Sequence, residues 1–241
     1  MKVLIITGGS KGIGKAIAEK YHEEKFNVVS IARTKATDVH YRQLTADLSN
    51  PQEVTQIIQQ IFSEIDTNRV TSITLVNNAG SLGEINIMGT LDATDISRTL
   101  QLNCITPSIL ANEFIRHTNT LTCKKQLVNI SSGAAVKPYF GWSLYCSSKA
   151  ALDMATKTIA AEQDDVENGV KTVGIYPGVV ETNMQIKIRE TPETNFKNVQ
   201  RFIALKDQNE LYTPSYVAQR IYEIDSSNFL KNGDIIDLRK L

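Results

Sequence analysis

The chain has 241 residues, 26 Lys plus Arg against 26 Asp plus Glu, and a hydrophobic content of 41%. Balanced charge leaves no electrostatic case for nucleic acid or an anionic membrane as partner, and no apolar run approaches a membrane span. The length suits one well-cored domain.

The opening MKVLIITGG is too short in its apolar part for a signal peptide and runs straight into a glycine turn. Val3 to Thr7 is a continuous apolar run, as in a strand covered on both faces. Gly8 to Gly14 reads as a turn and Ile13 to Tyr21 as a helix. Asn27 to Ala32 and Tyr41 to Thr45 are the second and third strands. Ser49 is the expected N-cap of a helix running from Pro51 to about Ile65. Ser72 to Val76 is the fourth strand and ends in Asn77-Asn78-Ala79-Gly80. Two helices are expected, near Asp92–Leu102 and Pro107–Thr118. Gln126 to Ile130 is the fifth strand, and a helix restarts near Ser143. Val170 to Ile175 is the sixth strand and meets Pro177-Gly178. Glu181 to Gln208 is polar and reads as one or two loose helices; Pro214–Ile224 is a helix and Asp234–Leu238 a last strand.

Alternating β and α units without a linker or repeat imply an α/β fold: one Rossmann-type doubly wound parallel sheet of about seven strands with helices on both faces, spanning 1–241. Ligands then belong beyond the C-terminal strand ends. Cys104, Cys123 and Cys146 are odd in number and lack metal-like spacing, so they read as reduced thiols of a cytoplasmic protein with no metal.

The stretch VNISSGAAVKPYFGWSLYCSSK (128–149) holds the expected chemistry. Tyr145 and Lys149 lie four positions apart and so share a helical face. A phenol beside an ammonium is more easily ionised, and a phenol so tuned suits general acid catalysis. Ser132, thirteen positions earlier, can return beside Tyr145 through the turn. An ordinary amphipathic helix meets the same Tyr-x-x-x-Lys spacing.

Gly8, Ser10, Lys11, Gly12, Ile13 and Gly14 lie between the first strand and first helix. Gly8 permits a tight turn, Gly12 a close approach to a pyrophosphate, and Gly14 close helix–strand packing. The helix N-terminus offers free N–H groups to phosphates. The second strand ends Ser30-Ile31-Ala32-Arg33-Thr34 without an acid. Arg33 and Lys11 suit a ribose 2′-phosphate, so NADPH is expected over NADH. Surface cations of no special role fit the same residues.

Taken in order, the Thr7–Gly14 turn, Asn77-Asn78-Ala79-Gly80, Asn103, Ser132, Tyr145-x-x-x-Lys149 and Pro177-Gly178 resemble the short-chain dehydrogenase/reductase family over essentially the whole chain. Residues 138–146, 176–185 and 233–237 look like the sepiapterin reductase branch, and equally like related bacterial reductases of benzil; Arg201–Lys206 draws the second comparison closer. The resemblance implies the following roles. Tyr145 donates a proton to a ketone oxygen; Lys149 lowers its pKa and holds the nicotinamide ribose; Ser132 hydrogen-bonds the oxygen; Asn103 positions a relay water. Asn78, Ala79 and Gly80 line the cofactor path. Asp47, with Leu48 beside it, meets the adenine. Thr182 binds the carboxamide beside Pro177, Gly178 and Val180, and Met184 also belongs to the cofactor site. The segment 182–212 is a substrate lid. Phe140 and Trp142, in an aromatic stretch Pro138–Trp142, are candidate walls for a flat ketone, and Asp237 a candidate anchor for a pterin. The helices Pro107–Thr118 and Tyr145–Ala161 are expected to pair two subunits.

The expected activity is NADPH-dependent reduction of a ketone, a vicinal diketone or a pterin side-chain ketone. Rival readings are a regulator that binds NADPH and catalyses nothing, and an alcohol dehydrogenase or acyl-thioester reductase. A regulator need not keep Ser132, Tyr145 and Lys149.

Overall fold

The computed structural model describes residues 1–241. Strand β1 (Lys2–Thr7) shows why a continuous apolar run forms here. Its side chains alternate between faces, Val3 and Ile5 entering one core and Leu4 and Ile6 the other. Each such buried aliphatic side chain contributes roughly 1.5–3 kcal/mol. The buried pattern recurs through β2 (Asn27–Ala32), β4 (Ser72–Asn77), β5 (Lys124–Ile130) and β6 (Lys171–Tyr176), while the edge strands β3 (Arg42–Thr45) and the short β7 (Ile235–Asp237) are only partly buried. All seven pair in parallel, in the order β3-β2-β1-β4-β5-β6-β7.

Helices cover both faces. On one side lie α1 (Gly12–Glu23) and α8 (Pro214–Ser227), supplying Ile17, Tyr21, Val217 and Ile221. On the other lie α2 (Pro51–Glu64) and α4 (Thr106–Thr118), supplying Ile58, Ile61, Leu110 and Phe114. The remaining helices are α3 (Ala93–Leu100), α5 (Ser143–Asp164), α6 (Asn183–Arg189) and α7 (Val199–Asp207). This is the doubly wound α/β fold expected from the alternating pattern.

Three local expectations change. The cap of α2 is Asn50, not Ser49: Asn50 accepts from the Gln52 amide at 3.1 Å, while Ser49 turns back to Asp47. The helices expected near 92–102 and 107–118 are not separate. A π-helical turn, Gln101–Ile105, joins α3 to α4 without a break and carries Asn103. The segment read as polar and loose is well packed. Phe196 and Phe202 bury against Trp142, Ile188 and Val199, forming a third apolar cluster above the sheet's C-terminal edge.

The strand order reverses between β1 and β4, which opens the crevice at that edge. Strands β1, β4, β5 and β6 lie side by side, so the loops after Thr7, Asn77, Ile130 and Tyr176 converge there.

Candidate active site

The first loop is shaped by close contact. Gly8 holds φ at +71°, and a Cβ on Gly14 would lie 2.3 Å from the Gly8 carbonyl oxygen. Only hydrogen at that position lets α1 start directly over β1. No side chain caps the N-terminus of α1, whose N-cap is Lys11. Its first amides therefore keep their donors and partial positive charge for an external acceptor. Thr7, part of the glycine motif but given no role there, ties this loop to the next. Its hydroxyl accepts from the amides of Asn78 and Ala79 at 3.0 and 3.1 Å, and Asn78 Nδ2 returns a bond to the Thr7 carbonyl at 2.9 Å.

A cavity of about 860 Å³ runs along the crevice. At one end it is lined by Gly8, Ser10, Lys11, Gly12, Ile13, Gly14, Arg33, Asp47 and Leu48. Arg33 and Lys11 are exposed and have no carboxylate within 4.0 Å. Asp47 is half-exposed; its carboxylate accepts from the Ser49 amide and hydroxyl, at 3.0 and 2.7 Å, which holds it below the usual carboxylate range. The middle is lined by Asn78, Ala79 and Gly80 on one side and Pro177, Gly178, Val180, Thr182 and Met184 on the other. Thr182 lies across from the glycine turn, its Cγ2 3.3 Å from where a Cβ on Gly12 would stand.

At the far end Ser132, Tyr145 and Lys149 line the same cavity. Ser132 caps a 3-10 turn, Gly133–Ala135, by accepting from the Ala134 amide at 3.2 Å. Lys149 Nζ donates to the Ile130 carbonyl at 2.8 Å, which fixes α5 to the end of β5. Burial drives Lys149 down to about 8, although Asp153 and Cys104 oppose the shift. Tyr145 behaves differently from the sequence expectation. Burial pushes its phenol up to about 12, while the neighbouring Ser132 hydroxyl pulls it down; Lys149 Nζ lies 5.8 Å from the ring centroid. The shared helical face is present, but the net shift of the phenol is upward. Desolvation of an 8% exposed phenol sets that direction.

Asn103 does not line the cavity. It is 1% exposed and its amide is fully engaged: Nδ2 donates to the Ser81 carbonyl and to Ser148 Oγ, and Oδ1 accepts from the Ser81 amide. Those bonds hold the 78–81 loop against α5.

The aromatic stretch divides. Trp142 lines the cavity and stacks on Phe196, ring centroids 4.5 Å apart and planes 13° apart. Phe140 does not line it; its ring is 39% exposed, with Lys197 Nζ 4.5 Å from its centroid. Tyr139 faces the cavity instead. Gly141 explains the split. At φ +82°, with Asn195 O 1.9 Å from where a Cβ would be, it turns the chain so that its neighbours diverge. Asp237 is also absent from the lining. Its carboxylate caps the turn Leu238–Lys240 and is held by Arg239, whose Nε lies 2.8 Å from Oδ1. Arg239 itself lines the cavity, as do Arg201, Phe202, Leu82 and Ile188. Sequence patterns assigned no site role to these five. Three come from the lid segment, the Gly80 loop and the C-terminal turn, where helical or strand periodicity says nothing about which side chains face a crevice; Arg201 and Phe202 stood in a recognised motif without a role.

The three cysteines are unpaired, and burial raises the thiol pKa of each. No helix is long and apolar enough to cross a membrane.

The short chain dehydrogenase family model matches residues 2–193. The benzil reductase ((S)-benzoin forming) of Bacillus subtilis (strain 168) is 40% identical, over 100% of this chain and 99% of that one. The sepiapterin reductase of Rattus norvegicus is 29% identical, over 98% of this chain and 95% of that one. Among solved structures, ElxO with NADP bound superposes with a TM-score of 0.80 at 25% identity, covering 98% of this chain and 96% of that one.

Proposed function

The chain belongs to the short-chain dehydrogenase family and is an oxidoreductase, and from that premise we propose that it is an NADPH-dependent carbonyl reductase acting on a vicinal diketone. One observation carries this reading. A single cavity joins the uncapped N-terminus of α1 to the Ser132, Tyr145 and Lys149 side chains.

The residues present fit a dinucleotide. A glycine turn too tight for a Cβ at Gly14, followed by free helix amides, suits a diphosphate. Arg33 and Lys11, both without a carboxylate partner, would hold a 2′-phosphate, which is the reason to favour NADPH over NADH. Asp47 and Leu48 would border the adenine, and Thr182 the carboxamide. When bound, the reduced cofactor supplies the hydride.

Tyr145 is the proton donor. A phenol pushed up to about 12 keeps its proton at neutral pH, the state that reduction requires. Ser132 presents a second hydroxyl to the ketone oxygen, where negative charge develops. Lys149, with a pKa of about 8, is largely charged at pH 7 and stabilises the phenolate once Tyr145 has given up its proton. Asn103 positions the loop bearing Gly80. Trp142, stacked on Phe196, offers a flat wall to a conjugated ketone. The segment 182–212 acts as the cover of the substrate end. Two subunits pair through α4 and α5, the latter exposing Met154 at 62%, and the enzyme works in the cytoplasm.

Purified protein mixed with NADPH and benzil tests the reading: oxidation of NADPH with formation of benzoin is expected. No oxidation across a panel of vicinal diketones would overturn it. Light scattering on the eluting protein reads the dimer.

A further inference from the structure

The substrate end of the cavity carries a guanidinium that the reading above does not use. Arg239 follows β7, and its side chain runs across the loops that close the site. Its Cγ is 3.3 Å from where a Cβ on Gly178 would stand, and its Nη2 is 3.4 Å from the same point on Gly133. Gly133 adjoins Ser132, so the cationic head lies beside the hydroxyl proposed to receive the ketone oxygen. Asp237 fixes it there. Its two carboxylate oxygens engage Nε and Nη2 from a residue that is itself only 9% exposed. Nη1 makes no hydrogen bond within the protein, and Arg239 lines the cavity. A bidentate carboxylate on one edge of a planar fork leaves the other edge preset to donate.

A 1,2-dicarbonyl compound has a second acceptor oxygen one carbon from the reacting one. Arg239 Nη2, 3.4 Å from the Cβ position of Gly133, stands at the same end of the cavity as Ser132 and Tyr145, within reach of such a second oxygen. A ketone without that oxygen leaves the Nη1 donors to water or unmet. We propose that Arg239, oriented by Asp237, is the specificity-determining residue that selects dicarbonyl substrates by donating to the oxygen that is not reduced. The proposal rests on the carbonyl reductase reading and adds to it the group that distinguishes a diketone from a simple ketone. Asp237 is then a positioning residue: the carboxylate expected to hold a substrate holds the arginine instead.

Benzil and deoxybenzoin form a matched pair, differing by one carbonyl replaced with a methylene. The ratio of their kcat/KM values is measured for the wild type, Arg239→Lys, Arg239→Met and the double variant Arg239→Met with Asp237→Asn. The double variant removes the carboxylate that Arg239→Met would strand in a buried place, so it separates selectivity from misfolding. A hydrogen bond from a charged donor is worth roughly 10- to 100-fold. The benzil-to-deoxybenzoin ratio is expected to fall by about that factor in the double variant and in Arg239→Met. It should fall in Arg239→Lys as well, because an ammonium keeps the charge and loses the fork. A second readout is binding: Trp142, the one tryptophan of the chain, lines the cavity, so its fluorescence follows benzil titrated into the NADP-loaded protein. The double variant should weaken that affinity by a similar factor. A ratio unchanged in all three variants overturns the role of Arg239 and leaves the reductase reading intact. Failure of the wild type to reduce either ketone overturns the reductase reading and this proposal together.

Discussion

Lys149 Nζ stands 5.8 Å from the centre of the Tyr145 ring and spends its hydrogen bond on the Ile130 carbonyl, 2.8 Å away. The two side chains share one face of α5, yet the lysine is aimed at the end of β5 rather than at the phenol. Its evident structural effect is to lock α5 onto the end of β5, next to Ser131 and Ser132.

Replacing Tyr145 with Phe removes the proposed proton donor and little else, since the ring that packs beside Trp142 remains. Turnover of benzil should fall by roughly 10²- to 10⁴-fold, the usual contribution of a placed general acid. NADPH affinity, followed by fluorescence titration, should stay within about twofold. Unchanged turnover would show that another group protonates the ketone.

The buried lysine makes stability depend on pH in a defined direction. Lys149 titrates near 8 in the folded chain and at 10.5 as a free side chain. Between those values the unfolded chain holds more protons, so this group's contribution to stability rises with pH. Below pH 8 the folded state bears the full cost of a buried ammonium; above 10.5 it bears none. The stability of the wild type relative to Lys149→Met should therefore increase by about 3 kcal/mol across that window. Denaturant titrations of both proteins at pH 7, 9 and 10.5 measure it, and a difference that stays flat with pH refutes the assignment.

Arg33→Ala should discriminate between the two nicotinamide cofactors. A guanidinium on a phosphate is worth roughly 10- to 100-fold. KM for NADPH should rise by that factor while KM for NADH barely moves. Equal use of the two cofactors by the wild type would remove the 2′-phosphate site from the account.

Gly14→Ala should damage the site from the backbone outward. The added methyl meets the Gly8 carbonyl at 2.3 Å and Asn78 Nδ2 at 2.4 Å, and a carbonyl in a tight turn has little room to retreat. A loss of about 1–3 kcal/mol in stability is expected, as for other overpacked positions. NADPH affinity should fall more steeply than that of any side-chain variant on the rim. Normal binding by the alanine variant would mean that the turn is softer than its geometry implies.

Much of this molecule was written in local patterns. The apolar strand runs, the glycine turn between Thr7 and Ile13, and the Ser132, Tyr145, Lys149 series all lie within or beside regular elements, where periodicity and spacing carry the information. The parallel, doubly wound sheet followed, because βα alternation permits few topologies. What local pattern did not carry was direction and burial. Tyr145 and Lys149 sit one turn apart in any helix, but only packing decides that the phenol loses its water and rises to about 12 while the amine turns to Ile130. Phe140 and Trp142 are two residues apart, and only the positive φ of Gly141 under the Asn195 carbonyl sends one outward and the other into the cavity. Asp237 stood at the expected position, and only the fold revealed that Arg239 had claimed its carboxylate. Sequence alone determined which chemistry the chain carries and along which sheet edge it gathers, since both depend on residue type and period. Which groups meet across that edge was decided by tertiary structure, because desolvation and hydrogen-bond pairing belong to neighbours that are distant in the chain.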